Sequence, residues 1–283
     1  MNRRDPPAAD QEPAALEVTF LGTRDAARRP RANTSAQLVA AGAATTLVDA
    51  GFGAMRGLRR AGATVRALDG VLLTHWHPDH VAGLGAVLRA RARAGAGPLP
   101  VFGPLPPAAL GVLLRRYADF TVVDPGHEVA VRGLRARTFA TQHRGPSVGW
   151  LLEHAGIRVG IAGDTRPTEA VIDAIAGADA LVFEATFAAH HAARARRSGH
   201  STAGDAGRIA ARAGVGLLVL THLSQRYPRE DVRREAAAEH AEVLVAEDGD
   251  RLVVERRDDR PGPARATLVR AGAPAGAPPP AGR

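Results

Sequence analysis

Four residues with metal-ligand chemistry crowd into one short run of this 283-residue chain: Thr74-His75-Trp76-His77-Pro78-Asp79-His80. Three imidazoles and a carboxylate in six positions are the donors that zinc accepts when no thiolate is at hand. None is at hand here, because the chain has no cysteine, and its 37 basic residues are all arginine. Thiolate nucleophiles, iron-sulfur clusters, disulfides, Schiff-base lysines and phosphate-loop lysines are thereby excluded. Demanding chemistry must come from His, Asp, Glu, Ser, Thr, Tyr or a metal that they hold. The run follows the apolar segment VLL at 71 to 73, so a strand end and a tight turn set His75 and His77 on one side of a fixed loop. Pro78 then starts a helix with Asp79 and His80 in its first turn.

The elements that must position such a loop are legible as short apolar or β-branched runs. They lie at 16 to 20, 36 to 40, 45 to 49, 71 to 73, 147 to 153, 158 to 163, 180 to 185, 216 to 221, 243 to 247 and 251 to 255. Helical stretches are expected from 78, 167, 202 and 228, most of them opening on Pro or Thr and closing on Gly. The first half reads as hairpin-rich and the second as alternating strand and helix, an α/β layered fold. Residues 1–15, with three prolines and no apolar run, are expected to be disordered. The same expectation holds for the Pro/Gly/Ala-rich tail 256–283, which leaves a single domain over 16–255. No run approaches the ~18 apolar residues of a membrane span, and no export signal is seen, so a cytoplasmic protein without a membrane partner is expected. The net charge of +8 favours anionic partners.

The His-x-His-x-Asp-His run resembles the signature of the metallo-β-lactamase superfamily, and the chain is similar to that family through further motifs. FLGT at 20 to 23, GDT at 163 to 165, EATF at 184 to 187, GHST at 199 to 202, LTHLSQRY at 220 to 227 and AEDGDRLVV from 246 resemble its ribonuclease Z-like subgroup. The resemblance implies an αββα four-layer sandwich with a dinuclear metal site at one edge. It implies His75, His77 and His143 on one metal, Asp79, His80 and His222 on the other, and Asp164 bridging. Two Zn2+ ions are the expected cofactors, with Mn2+ as the alternative.

For activity, the resemblance implies hydrolysis of a phosphodiester, in RNA or in a small molecule, by attack of a metal-bridging hydroxide that Asp79 orients. By themselves Glu184 and His200 read as a surface carboxylate and a residue ahead of a helix. The paired EATF and GHST motifs imply instead that Glu184 orients His200, the general acid. Two departures stand out. The 21 residues from His143 to Asp164 hold no more than a hairpin where ribonuclease Z usually inserts a tRNA-clamping arm, and DAGFGAM at 49 to 55 replaces an acidic, glutamine-containing turn. Arm-less relatives include small-molecule and cyclic-nucleotide phosphodiesterases, so a hydrolase of a small ester, lactone or cyclic nucleotide is the second reading. A non-catalytic RNA-binding protein is the third. Dimers are common in the family, which makes a homodimer one expectation. His127, His154, His190, His191 and His240 match no motif, with His190 and His191 placed near the rim.

Overall fold

The computed structural model of the protein describes residues 14–26, 33–256 and 264–272. Its first half runs β1 (Ala14–Gly22), β2 (Ala36–Ala41), β3 (Ala44–Val48), α1 (Ala54–Arg60), β4 (Gly70–Leu72), α2 (Pro78–Val81), α3 (Leu84–Arg93), β5 (Leu99–Gly103), α4 (Gly111–Tyr117) and β6 (Ala118–Val122). The second half continues with β7 (Glu128–Val131), β8 (Leu134–Ala140), β9 (Val148–His154), β10 (Ile157–Ile161), α5 (Glu169–Ala174), β11 (Ala180–Glu184) and α6 (Ala192–Ser198). It ends with α7 (Ala203–Ala213), β12 (Leu217–Thr221), α8 (Arg229–Ala237), β13 (Val243–Val245), β14 (Arg251–Arg256) and β15 (Arg265–Val269). One sheet has the order β15-β14-β1-β2-β3-β4-β5-β6 and the other β13-β12-β11-β10-β9-β8-β7.

Alternation of side chains along these strands produces three apolar layers. Leu16, Val18, Phe20, Trp150, Leu152, Val159 and Val254 fill the space between the sheets. Leu47, Leu58, Val71, Leu73, Leu84 and Leu88 pack beneath α1, α3 and α4 on one outer face. Phe183, Ala206, Ile209, Leu218 and Val232 pack beneath α5, α7 and α8 on the other. The result is the expected four-layer αββα sandwich in one domain. Among the described residues no helix is long and apolar enough to cross a membrane.

The strands expected at 36 to 49 and 147 to 162 are antiparallel hairpins, β2 with β3 and β9 with β10. The single helix expected from Pro78 is instead two, α2 and α3, broken at Ala82 and Gly83. Gly83 lies so close to the 50–51 backbone that an added Cβ would sit 2.4 Å from the Gly51 carbonyl oxygen. The break lets this segment dock against the loop after β3.

The expectation of disorder from 256 onward is corrected over 264–272. There β15 pairs antiparallel with β14, from Arg251↔Val269 to Glu255↔Arg265. Ala266 and Leu268 pack on the inter-sheet core, and Asp250 accepts hydrogen bonds from Arg270 Nη1 (2.6 Å) and Ala271 N (2.9 Å). Two apolar side chains at alternate positions and a buried carboxylate are enough to seat a short strand that its Pro/Gly-rich flanks conceal. At the other end β1 already begins at Ala14. The remainder of the expected disordered segments, 1–13, 257–263 and 273–283, lies outside the described residues.

Candidate active site

Apart from Glu184, the last residue of β11, and His200, which follows α6, every expected site residue sits in the segment that follows a strand. Leu73 and Thr74 leave β4, and the buried Trp150 indole donates to the Leu73 carbonyl oxygen (3.1 Å). Val148 N donates to the Thr74 carbonyl oxygen (2.9 Å), stitching the histidine loop to the second sheet. Pro78 opens α2 at its first position, so Asp79 and His80 stand in the first turn, and Thr34 Oγ1 donates to the Asp79 carbonyl oxygen (2.6 Å). His143 follows β8, Asp164 follows β10, Glu184 ends β11 and His222 follows β12. With His200 after α6, six separate segments thus meet at one edge of the sandwich, where loops can vary on a rigid scaffold.

Their donor atoms form two lobes around one carboxylate. In the first, His77 Nδ1 lies 3.1 Å from His75 Nε2 and 2.9 Å from His143 Nε2, with Asp164 Oδ2 3.6 and 3.7 Å from those two Nε2 atoms. In the second, His222 Nε2 lies 3.2 Å from His80 Nε2 and 3.1 Å from Asp79 Oδ2, with Asp164 Oδ1 3.4 Å from His80 Nε2. Three imidazole nitrogens that face one another this closely without a shared cation set lone pair against lone pair or demand protons. Tetrahedral zinc with ligands at about 2.1 Å separates them by about 3.4 Å. Asp164 Oδ1 is buried with no hydrogen-bond partner among the described residues. Donor set, spacing and orphaned oxygen all fit a pair of divalent cations.

Hydrogen bonds fix which ring nitrogen faces inward. Asp49 Oδ2 meets His80 Nδ1 at 2.6 Å, Thr74 Oγ1 meets His75 Nδ1 at 3.0 Å, Thr186 Oγ1 meets His222 Nδ1 at 2.9 Å, and the Gly199 carbonyl oxygen meets His143 Nδ1 at 2.7 Å. Gly199 takes φ 84°, a left-handed cap that a side chain would strain, and a Cβ there would lie 2.9 Å from His143 Nδ1. Asp49 (φ 56°) and His222 (φ 55°) are themselves left-handed non-glycine residues, local strain that the surrounding bonds hold in place.

Charge divides the two lobes. Burial, then the neighbouring imidazoles, holds His75 well below the ordinary histidine value, and burial likewise lowers His77 and His143. These rings are neutral and ready to donate lone pairs at neutral pH. Burial also opposes charge on His80 and His222, but Asp164 outweighs it, with Asp49 adding to the rise at His80 and Asp79 to that at His222. Burial would raise Asp79 and Asp164 too. The surrounding imidazoles prevail, bringing Asp79 to about 2 and Asp164 well below the usual carboxylate range.

Beside the cluster, Glu184 Oε1 lies 3.0 Å from His200 Nδ1. The carboxylate is buried and accepts from Thr165 N (2.9 Å) and Thr186 Oγ1 (2.6 Å), so it cannot swing away. Burial would lower the His200 pKa, but the Glu184 charge and hydrogen bond, helped by Asp164, push it up to about 9. His77, Asp79, Asp164, His200 and His222 together line an open cleft of about 370 Å³.

The chain matches a family profile described as "Beta-lactamase superfamily domain" over residues 45–223. It is 31% identical to ribonuclease Z of Bradyrhizobium sp. (strain ORS 278), with 84% of this chain and 100% of that protein covered. Ribonuclease Z of Kineococcus radiotolerans is 33% identical, with 88% of this chain and 98% of that protein covered. The chain belongs to the metallo-β-lactamase superfamily, in its ribonuclease Z-like branch. Among solved structures, the metallo-β-lactamase fold protein YhfI from Bacillus subtilis superposes with a TM-score of 0.77 at 25% identity, covering 85% of this chain and 99% of that one.

As a member of that branch the chain is a metal-dependent hydrolase, and the hairpin of β9 and β10 occupies all of the chain between the His143 and Asp164 loops. The structure also shows positions in this ribonuclease Z-like site that motif reasoning passed over. Asp49 belongs to the segment noted only as a departure, yet it orients His80 and accepts from Thr74 N and Thr74 Oγ1 (both 2.8 Å). Thr186, between Glu184 and His222, was hidden inside EATF. The signal for Asp49 was a lone aspartate closing the strand run at 45 to 49. Trp76 donates to the Pro104 carbonyl oxygen (2.8 Å) and packs on Phe120, a structural role. His127, His154 and His240 are not drawn into the cluster, and His190 and His191 lie beside Tyr227, which lines the cleft.

Proposed function

We propose that this chain hydrolyses phosphodiester bonds in RNA or a small nucleotide, with two zinc ions as cofactors and His200 as general acid. The observation that carries the proposal is the Glu184–His200 pair fixed beside a two-lobed His/Asp cluster. A fixed, charged donor suits expulsion of a nucleotide alkoxide, which leaves poorly unless protonated. His75, His77, His143 and Asp164 would hold one ion, and Asp79, His80, His222 and Asp164 the other. When bound, such ions lower the pKa of water from 15.7 toward about 7 and offset the charge that gathers on phosphoryl oxygens.

The chain's own residues do the rest. Asp79, kept ionised by His222, is an acceptor that aligns the proton of the attacking water. Glu184 holds the His200 ring by Nδ1, which leaves Nε2 as the donor for the departing oxygen. The proton passes to that oxygen as the phosphorus–oxygen bond breaks, and Glu184 stabilises the imidazolium until then. The arm-less hairpin favours a substrate gripped within the cleft over one clamped at a distance.

A turnover panel on zinc-loaded protein tests this reading with a 3′-extended tRNA precursor, a 2′,3′-cyclic nucleotide and bis(p-nitrophenyl) phosphate. Hydrolysis of at least one, abolished by chelation, is the expected result. A protein that shifts RNA in a gel but cleaves none of the three would be a binder instead.

A further inference from the structure

Beside the cleft lies an aromatic cluster that the metal site does not use. Tyr227 lines the cleft, and its hydroxyl lies 2.8 Å from His191 Nδ1. The His191 ring centroid is 4.3 Å from that of His190 and 5.8 Å from Tyr227, and His190 stands 5.6 Å from Tyr227 at 80°. His190 is exposed, while His191 and Tyr227 are half-buried. The short 3-10 turn bearing the histidines is pinned from below, because Ala189 N donates to Glu235 Oε2 (2.9 Å).

Two exposed arginines, Arg194 and Arg226, line the same cleft as Tyr227. The Arg194 guanidinium lies 5.9 Å over the Phe187 ring, which in turn lies 5.9 Å from His200. Aromatic and cationic surface therefore runs from the proposed proton donor out to the rim. Flat rings interleaved with guanidinium groups match a nucleotide, whose base offers a π-face and whose phosphates offer charge. Partial burial, with the nearby Arg194 and Arg226 guanidinium groups adding to it, lowers the His191 pKa.

We propose that His190, His191 and Tyr227 form a stacking platform for a nucleobase at the outer end of the cleft, so that the preferred diester carries a base beside the scissile phosphate. This rests on the phosphodiesterase reading, and names the feature of the substrate that the arm-less chain grips. The platform selects among diesters by binding and takes no part in bond breaking.

The test compares the zinc-loaded full chain with its His190→Ala/His191→Ala variant on two substrates that share a leaving group. One is the p-nitrophenyl ester of thymidine 5′-monophosphate, and the other is methyl p-nitrophenyl phosphate, which has no base. The ratio of the first KM to the second is expected to rise about tenfold in the variant, the scale of one lost base–aromatic contact. An unchanged ratio, with both KM values shifted alike or neither shifted, would overturn the proposal. Should the wild type turn over neither diester, that outcome bears on the phosphodiesterase reading and not on the platform. The platform is then read from quenching of 2-aminopurine in a short oligonucleotide, where binding about tenfold weaker in the variant supports it and equal binding overturns it.

Discussion

Replacing Glu184 by glutamine keeps the side chain's size and one acceptor oxygen but removes its charge, and the consequence for His200 can be worked from the structure. A full charge 3.0 Å away contributes about 5.5 kcal/mol at an effective dielectric of 20. The rise of His200 from the ordinary histidine value of about 6.5 to about 9 corresponds to about 3.4 kcal/mol, the smaller figure reflecting the burial that opposes it. Without the Glu184 charge, burial is opposed only by the weaker pull of Asp164, and the His200 pKa falls back toward the ordinary histidine value. The acid is active when protonated, so turnover is retained below its pKa and lost as pH rises through it. The Glu184→Gln enzyme should therefore match the wild type within a fewfold at pH ~6 and fall about thirtyfold behind it at pH ~8. Bound cations act on both enzymes alike, so the displacement of the basic limb is the quantity to compare. The assay is kcat against pH on a ribonucleotide diester with an alkoxide leaving group, at saturating zinc. Equal loss at pH 6 and pH 8, with no displacement of the basic limb, would refute the role given to the pair.

Three further outcomes follow from the geometry. Asp49→Ala frees His80 Nδ1 and should weaken zinc binding about 10- to 100-fold, the usual effect of losing a group that orients a ligand; competition with a chromogenic chelator measures it, and unchanged affinity would contradict the assignment. Because His80 and His222 are raised while His75, His77 and His143 are lowered, zinc entering the His80/His222 lobe must displace protons and bind more tightly as pH rises. Calorimetric titration at pH ~7 in two buffers of different protonation enthalpy should show proton release for one equivalent more than the other, and none for either would be a contradiction. Trp150→Ala empties the space between the sheets and removes the hydrogen bond to Leu73, with an expected cost of about 3–5 kcal/mol in urea unfolding.

Much of this was readable in advance because the informative residues are local. His75 to His80 announce themselves by spacing, and strands such as β9 and β12 by runs of Val, Leu and Trp. The 99–140 region was harder. Pro100 lies inside β5, Arg135 and Arg137 alternate with Ala136 in β8, and β7 spans only four residues. Here small or exposed side chains occupy strands that tertiary pairing, and not propensity, holds in place. Asp49 escaped because its meaning lies in a contact 31 positions away, with His80, that no local pattern encodes. The strand β15 escaped because its partner β14 supplies the template that Arg265–Val269 lacks alone.

The central claim, that the His/Asp cluster is a two-metal phosphodiesterase centre, is met most directly by titrating metal-free protein with zinc while following cleavage of a ribonucleotide diester. The account predicts no turnover without metal, and a rise that saturates at two equivalents per chain. Two equivalents bound with no cleavage, or cleavage undiminished in the metal-free protein, would contradict it.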